Sequence, residues 1–340
     1  MLHLGLDLCR VRVDVCALSE AGERIWVGAV PPDVAGLRRL AGDFERFGQP
    51  VRAAIESMNG ARFVHDQLEF AGWEVLVADA QKVKGIAPLA CKTDRIDAWV
   101  LAELSRRALV PEIWLPPPDV RGERERARFR LHLVRHRTAL KNRVHSTLMA
   151  FGHPCPVSDL FGAKGRQVLT RLDLPEPWAN DVAVAVDLID ELDGRIATIE
   201  VDLRRTSTHH PYVPLLMTAP GIGWVLGHTI AAELGDIARF ASPAKLCGYT
   251  GLCPKVDQSG SRDWRGHLSK HGPRYLRWAL VEAATHAASH PTYRAHYQHT
   301  RHRLGPQRGP KIARIDVARR LAIAIWHMLS RDQPFAPTPT

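Results

Sequence analysis

With 340 residues, 45% of them hydrophobic and 24% charged, the chain is long enough for two or three domains with cores of their own. A formal charge of +10 points to a polyanionic partner, because clustered Lys and Arg gain by releasing counterions from phosphate backbones. No apolar run has membrane-spanning length, no signal-peptide pattern is present and the six cysteines form no CxxC pair; these features exclude a membrane span, a zinc ribbon and a disulfide scaffold, and a cytoplasmic location with reduced thiols is expected.

The first hundred residues read as α/β. Strands are expected at Leu2 to Leu8, Val11 to Leu18 and Arg24 to Val30, with a turn at Glu20-Ala21-Gly22. Asp33 is placed to cap a helix whose apolar positions are Val34, Leu37, Leu40 and Phe44. A strand from Val51 ends at Glu56, a helix runs from about Ala61 to Gly72, and Trp73 to Val77 is strand again. Thr93 can cap a helix that carries Ile96, Val100 and Leu104. This order predicts a mixed sheet with helices packed on it.

A Pro-rich break at Pro111 to Pro118 precedes a helix in which nine Lys/Arg between 121 and 143 face only Glu123 and Glu125. Arg124, Arg128, Arg135 and Lys141 are its expected phosphate contacts, and Phe129, Leu133, Leu140 and Val144 sit at helical spacing. Residues 153–180 read as irregular and Pro-rich. From Val182 to Leu203 a heptad seam of Ala185, Ile189, Leu192, Ile196 and Ile199 runs between acidic flanks. The basic and acidic helices could pair with each other or across a dimer. The expected divisions are therefore 1–118, 119–210, a mostly helical 211–333 and a disordered tail at 334–340.

Two constellations carry chemistry. Asp7 lies amid strand apolars, where a carboxylate needs compensation. Glu56 closes another strand, and Asp94 and Asp97 share a helix face. Were the sheet to bring the four together, they would require divalent cations, the arrangement of two-metal phosphoryl transfer. Each taken alone also reads as an ordinary strand-edge or helix-start acid. Sugar kinases and actin-like ATPases share such an opening strand, but Asp7-Leu8-Cys9-Arg10-Val11 is bulkier than their phosphate turn allows. The second constellation is Ser259 before Gly260 in a polar, Gly-rich loop, amid Lys255, Arg262, Arg265, Lys270, Arg274 and Arg277. It reads either as a flexible Ser/Gly loop or as a nucleophile with cations for a scissile phosphate. Upstream, Pro220-Gly221-Ile222-Gly223 before a helix resembles a helix-hairpin-helix, whose Gly221 and Gly223 would offer backbone N–H groups to a phosphate.

In order, GLDL, AAIES, KTDRIDA, APGIG, AKLCGYTGLCPKVDQSG and RGHLSKHGPRYLR resemble the DEDD transposases of bacterial insertion sequences, which act as bridge-RNA-guided recombinases. The resemblance spans nearly the whole chain. It implies a RuvC-like (RNase H-like) domain whose Asp7, Glu56, Asp94 and Asp97 bind Mg²⁺, a coiled-coil region, and a helical domain whose Ser259 becomes covalently linked to DNA. It also implies double-stranded DNA at element ends and target, a noncoding bridge RNA, and a homodimer or homotetramer. Where relatives often carry a second Ser or Thr, this chain has Gln258, which leaves Ser259 as the candidate. The competing readings are a RuvC-like two-metal structure-specific endonuclease and a nucleic-acid-binding protein with a degenerate site.

Overall fold

A computed structural model describes residues 1–86, 94–153, 155–260 and 262–336. The chain divides into two compact units, Met1–Pro116 and Pro117–Thr340. Thr93, the expected cap, lies outside the described residues. Among those that are described, no helix is long and apolar enough to cross a membrane, and Cys9, Cys16, Cys155, Cys247 and Cys253 are free thiols.

The first unit is α/β. Strands β1 (Leu2–Leu8), β2 (Val13–Leu18) and β3 (Arg24–Val30) form an antiparallel meander. Helix α1 (Val34–Glu45) follows, capped by the Asp33 carboxylate, which accepts the Gly36 N–H at 2.7 Å. Next come β4 (Val51–Glu56), α2 (Ala61–Phe70), β5 (Glu74–Ala78), α3 (Ala80–Ile86) and α4 (Asp94–Arg106). The sheet order is β3-β2-β1-β4-β5, with β4 parallel to β1 and to β5. A parallel step needs a helical crossover, and α1 and α2 supply the two. The strands are buried on both faces near the centre; α1 and α2 cover a core of Leu4, Leu6, Leu37, Leu40, Phe44, Ile55, Val64 and Leu68.

Helix α4 covers the other face, and one contact shows how closely. A Cβ on Gly5 would fall 1.8 Å from the Ala98 carbonyl oxygen and 2.4 Å from the Ala102 nitrogen, so only glycine lets the helix backbone touch β1. The His3 imidazole meets the Ser105 hydroxyl at 3.2 Å. As β1 advances from residue 3 to 5, α4 thus recedes from 105 toward 98: the two run antiparallel.

The second unit is mostly helical. Helices α5 (Pro118–Ala150) and α7 (Trp178–Thr208) pack along each other, with α6 (Ala163–Leu169) between them in sequence. Residues 153–180, expected to be irregular, are thus partly ordered: Leu160 and Leu174 are buried against Val144, Leu148 and Val182. Then follow α8 (Val213–Leu216), α9 (Trp224–Leu234), α10 (Pro243–Thr250), the hairpin of β6 (Pro254–Ser259) and β7 (Arg262–Leu268), α11 (Arg274–Ala287) and α12 (Pro291–Arg331), interrupted at Gly305. The α5/α7 pair and the segment after 211 belong to one unit, because α9 packs against both long helices. Ala318, Leu321, Ile325 and Met328 are buried as their spacing predicts. The tail departs from expectation: the Phe335 N–H donates to Thr218 Oγ1 at 2.9 Å, and its ring packs beside Tyr293 and His290, so 334–336 are held by tertiary contacts.

Candidate active site and nucleic-acid interface

The acids follow from the α4–β1 pairing. Side chains alternate along a strand, so Asp7 shares the face of Gly5, toward α4. At about 3.3 Å per strand residue and 1.5 Å per helix residue, two steps from Gly5 to Asp7 match roughly four to five residues of helix. That carries the Ala98–Ala102 contact back to the level of 94–97 at the start of α4. Glu56 follows Ile55, whose rung partner is Leu6, so Glu56 and Asp7 occupy the next positions on adjacent parallel strands. Asp7, Glu56 and Asp97 are all half-buried. The side chain of Asp94 lies outside the described residues. Among the described residues no three Asp, Glu, His or Cys side chains form a group able to hold a metal ion. The donor set is made of carboxylate oxygens alone, the hard ligands that suit Mg²⁺.

Sequence reasoning missed Asp14. It stands directly opposite Asp7 on β2, is 5% exposed, and takes a 2.7 Å bond from Arg12 Nε. The alternating pattern of β2 contains this acid, and its register to Asp7 emerges only once the hairpin is paired.

The serine segment is a hairpin, where a polar loop was expected. Ser259 is the last residue of β6 and is paired with Arg262 at the start of β7, and Gly260 follows it at φ 58°. Ser259 is exposed at this tip, and Lys255, four residues back on the same strand, is exposed as well. Side chains of Arg262 and Arg265 lie outside the described residues. Behind the hairpin, Arg277 Nη1 donates to the carbonyl oxygens of Thr250 at 3.4 Å and Lys270 at 3.2 Å, tying the two ends of the serine segment together. Arg277 is therefore a structural tie, while Lys270 and Arg274 are exposed.

The helix-hairpin-helix expectation fares less well. Helix α8 has only four residues. A Cβ on Gly221 would lie 2.2 Å from the Ala283 carbonyl oxygen, so this glycine serves the packing of its turn on α11. Gly223 is the exposed N-cap of α9.

The basic helix α5 is corrected most. Arg124 is 8% exposed and donates to the Ala232 oxygen at 2.8 Å and the Glu233 oxygen at 2.6 Å, capping the C-terminal carbonyls of α9. Arg128 grips the fully buried Glu233 carboxylate with two bonds, at 2.7 and 2.9 Å. Arg130 pairs with Glu200 at 2.9 Å and Arg137 with Asp193, so the basic and acidic helices pair antiparallel within the chain. Lys141 lies over the Phe161 ring at 4.9 Å. Arg124 and Arg128 are thus engaged in folding, whereas Arg126, Arg135 and Arg143 are exposed. Phe129, expected inward, is 49% exposed and stacks on His132.

One cluster was not legible in the sequence. Arg128 and Arg135 of α5 and Arg274 of α11 lie 5.0, 5.7 and 4.8 Å from the centre of the Tyr275 ring. Of these three guanidiniums Arg128 is paired with the Glu233 carboxylate. The surplus of positive charge, two arginines of it exposed, is a ready site for phosphate.

The α/β unit carries the acids and the helical unit the serine hairpin, and comparison with known proteins gives the class. A DEDD transposase model matches residues 4–152, and the model of the transposase IS116/IS110/IS902 family matches residues 213–299. The chain belongs to this family of insertion-sequence transposases. It is 25% identical to a "Probable family 20 transposase" of Pseudomonas aeruginosa, over 87% of this chain and 88% of the relative. It is 28% identical to the transposase for insertion sequence element IS1328 of Yersinia enterocolitica, over 69% and 70%. With the transposase for IS1111A of Coxiella burnetii it shares 24% identity over 98% and 90%. A DEDD domain implies the RNase H-like fold, and the mixed sheet of the first unit agrees with it. The chain is a DNA transposase of a family that typically uses divalent metal ions.

Proposed function

We propose that this transposase cleaves and exchanges DNA strands through a covalent Ser259–DNA intermediate, with Asp7, Glu56, Asp94 and Asp97 holding Mg²⁺. The observation that carries the reading is the antiparallel seating of α4 on β1, which supports Asp97 standing level with Asp7 at the edge where Glu56 ends. Exchange without hydrolysis must conserve the phosphodiester bond energy. The Ser259 oxygen bonds to phosphorus as one ester P–O bond breaks; the hydroxyl proton leaves, and the freed strand end departs as an alcohol. The second strand end then attacks the same phosphorus and releases the serine. Bound Mg²⁺ would supply positive charge for the transferring phosphoryl group. Lys255, Arg262, Arg265, Lys270 and Arg274 surround the tip in sequence and would draw the DNA backbone to it.

The exposed arginines at Tyr275, Arg135 and Arg274, are the proposed nucleic-acid face of the helical unit. The noncoding bridge RNA implied by the family resemblance is its proposed ligand, with double-stranded DNA at the serine hairpin. A homodimer or homotetramer would let the acids of one subunit act with the serine of another. The long α5/α7 pair is the proposed coiled-coil element.

The test is the covalent adduct. With labelled element-end DNA and its RNA, wild type should give a denaturation-resistant protein–DNA species. Ser259→Ala should remain folded, bind its nucleic acids and form none; Asp7→Ala should form none either. Adduct formation by Ser259→Ala would identify the wrong serine, and DNA cutting by every serine variant in Mg²⁺ would make the protein a two-metal nuclease.

A further inference from the structure

Trp264 is an apolar side chain in a place that folding does not demand. It stands on β7 opposite Asp257 and is 56% exposed. A bulky indole left in water on a short two-stranded hairpin contributes little to a core. Its position relative to Ser259 is fixed by register. Directly opposed residues share a face of an antiparallel pair, and so do residues two apart on one strand. Ser259 opposes Arg262, and Trp264 lies two residues beyond Arg262. Ser259 and Trp264 are therefore diagonal neighbours on one face, with Cα atoms roughly 7–8 Å apart.

The ring is also directed. A Cβ on Gly266 would come within 2.6 Å of the Trp264 ring carbons Cη2 and Cζ3, so the six-membered ring lies across that glycine. Gly266 is the next residue on the same face, away from the tip. The indole thus leans away from Ser259 along the shared face, and more than half of it stays open to solvent. A glycine at 266 is what allows the ring to lie down; any other residue would stand it up.

We infer that Trp264 is a positioning residue, stacking on an unpaired DNA base next to the scissile phosphate and so setting which phosphate meets Ser259. This rests on the assignment of Ser259 as nucleophile. Exposed aromatic rings in basic surroundings bind nucleobases without regard to sequence, because every base offers a π face. At a duplex, the same ring can wedge into a base step and help to unstack it. Lys255 is exposed on the same hairpin and can hold the backbone while the ring holds the base. The competing role is to cover Gly266, a task for any large apolar side chain.

The experiment uses the full chain and a short single-stranded DNA with one 2-aminopurine, moved along the strand. In wild type and Trp264→Phe, fluorescence at one position should be quenched on binding. In Trp264→Ala and Trp264→Leu that quenching should vanish, and binding should weaken roughly tenfold at unchanged melting temperature. Leu keeps the cover over Gly266 without stacking, so full recovery by Trp264→Leu would overturn the inference, as would equal quenching in all four proteins. The adduct assay separates the two assignments. Quenching that depends on Trp264, with an adduct still formed by Ser259→Ala, would remove the serine as nucleophile and leave only a base-stacking site. An adduct that needs Ser259, with quenching indifferent to Trp264, would remove the tryptophan alone.

Discussion

The carbonyl oxygen of Ala98 on α4 lies 1.8 Å from where a Cβ on Gly5 would stand, so the helix and the central strand meet backbone to backbone. Everything proposed for the acids depends on this seating. Gly5→Ala must lift α4 or bend β1, and overpacking of this kind costs about 1–3 kcal/mol or more. The melting transition of the first unit should fall by roughly 5–15 °C in calorimetry. An unchanged transition would mean that α4 is not seated on β1 in solution.

Mg²⁺ should raise the stability of that unit, since an ion bound only by the folded chain stabilises it by mass action. Like charges at one edge gain most from it. Millimolar Mg²⁺ should shift the wild-type transition upward by a few degrees, and Asp7→Asn or Asp97→Asn should remove most of the shift. The same shift in all three proteins would place the ion elsewhere.

The N-terminal unit was largely legible because its signals are local. Alternation marks β1 and β3, both found with the expected bounds, and Asp33 announces α1 by the chemistry of its cap. Charge alone offers the pairing of the basic helix with the acidic one, but a charge count cannot tell that Arg124 and Arg128 turn to α9 instead. For the pairing itself a further signal was present: Arg130 and Arg137 are seven apart, as are Asp193 and Glu200, the mirrored spacing of an antiparallel ladder. The serine hairpin stayed hidden for another reason. Its strands bury no core, so PKVDQS and RDWRGHL lack the apolar alternation by which strands are recognised. Tyr275 and Asp14 became visible only when distant elements were placed side by side.

His228 gives the helical unit a pH dependence. It is 1% exposed, and its Nδ1 lies 3.1 Å from Ser207 Oγ. Burial holds its pKa below the usual histidine range, against the attraction of Glu123 and with repulsion from His210 and Arg126. The unfolded chain therefore binds the proton more readily than the folded one, and stability rises with pH across that interval. Unfolding by urea should become easier as pH falls below about 6.5, and His228→Gln should flatten this dependence. A profile unaffected by the substitution would assign the acid sensitivity to another group.

The arginines of α5 should separate into two kinds when charge is removed. Arg135 and Arg274 are exposed around Tyr275 and are proposed to meet phosphate, so each accounts for about one unit of the slope of log affinity against log salt. Arg135→Gln with Arg274→Gln should flatten that slope by about two for RNA and leave the melting temperature where it was. Arg124 is buried, and its guanidinium satisfies the carbonyl oxygens of Ala232 and Glu233. Hydrogen bonds from a charged donor contribute about 1.5–3 kcal/mol each, and their loss strands acceptors inside the protein. Arg124→Gln should therefore lower the melting temperature by several degrees while the salt slope stays at its wild-type value. A reduced slope in Arg124→Gln at full stability would show that this arginine reaches nucleic acid after all, and that the α5–α9 contact opens when the ligand binds.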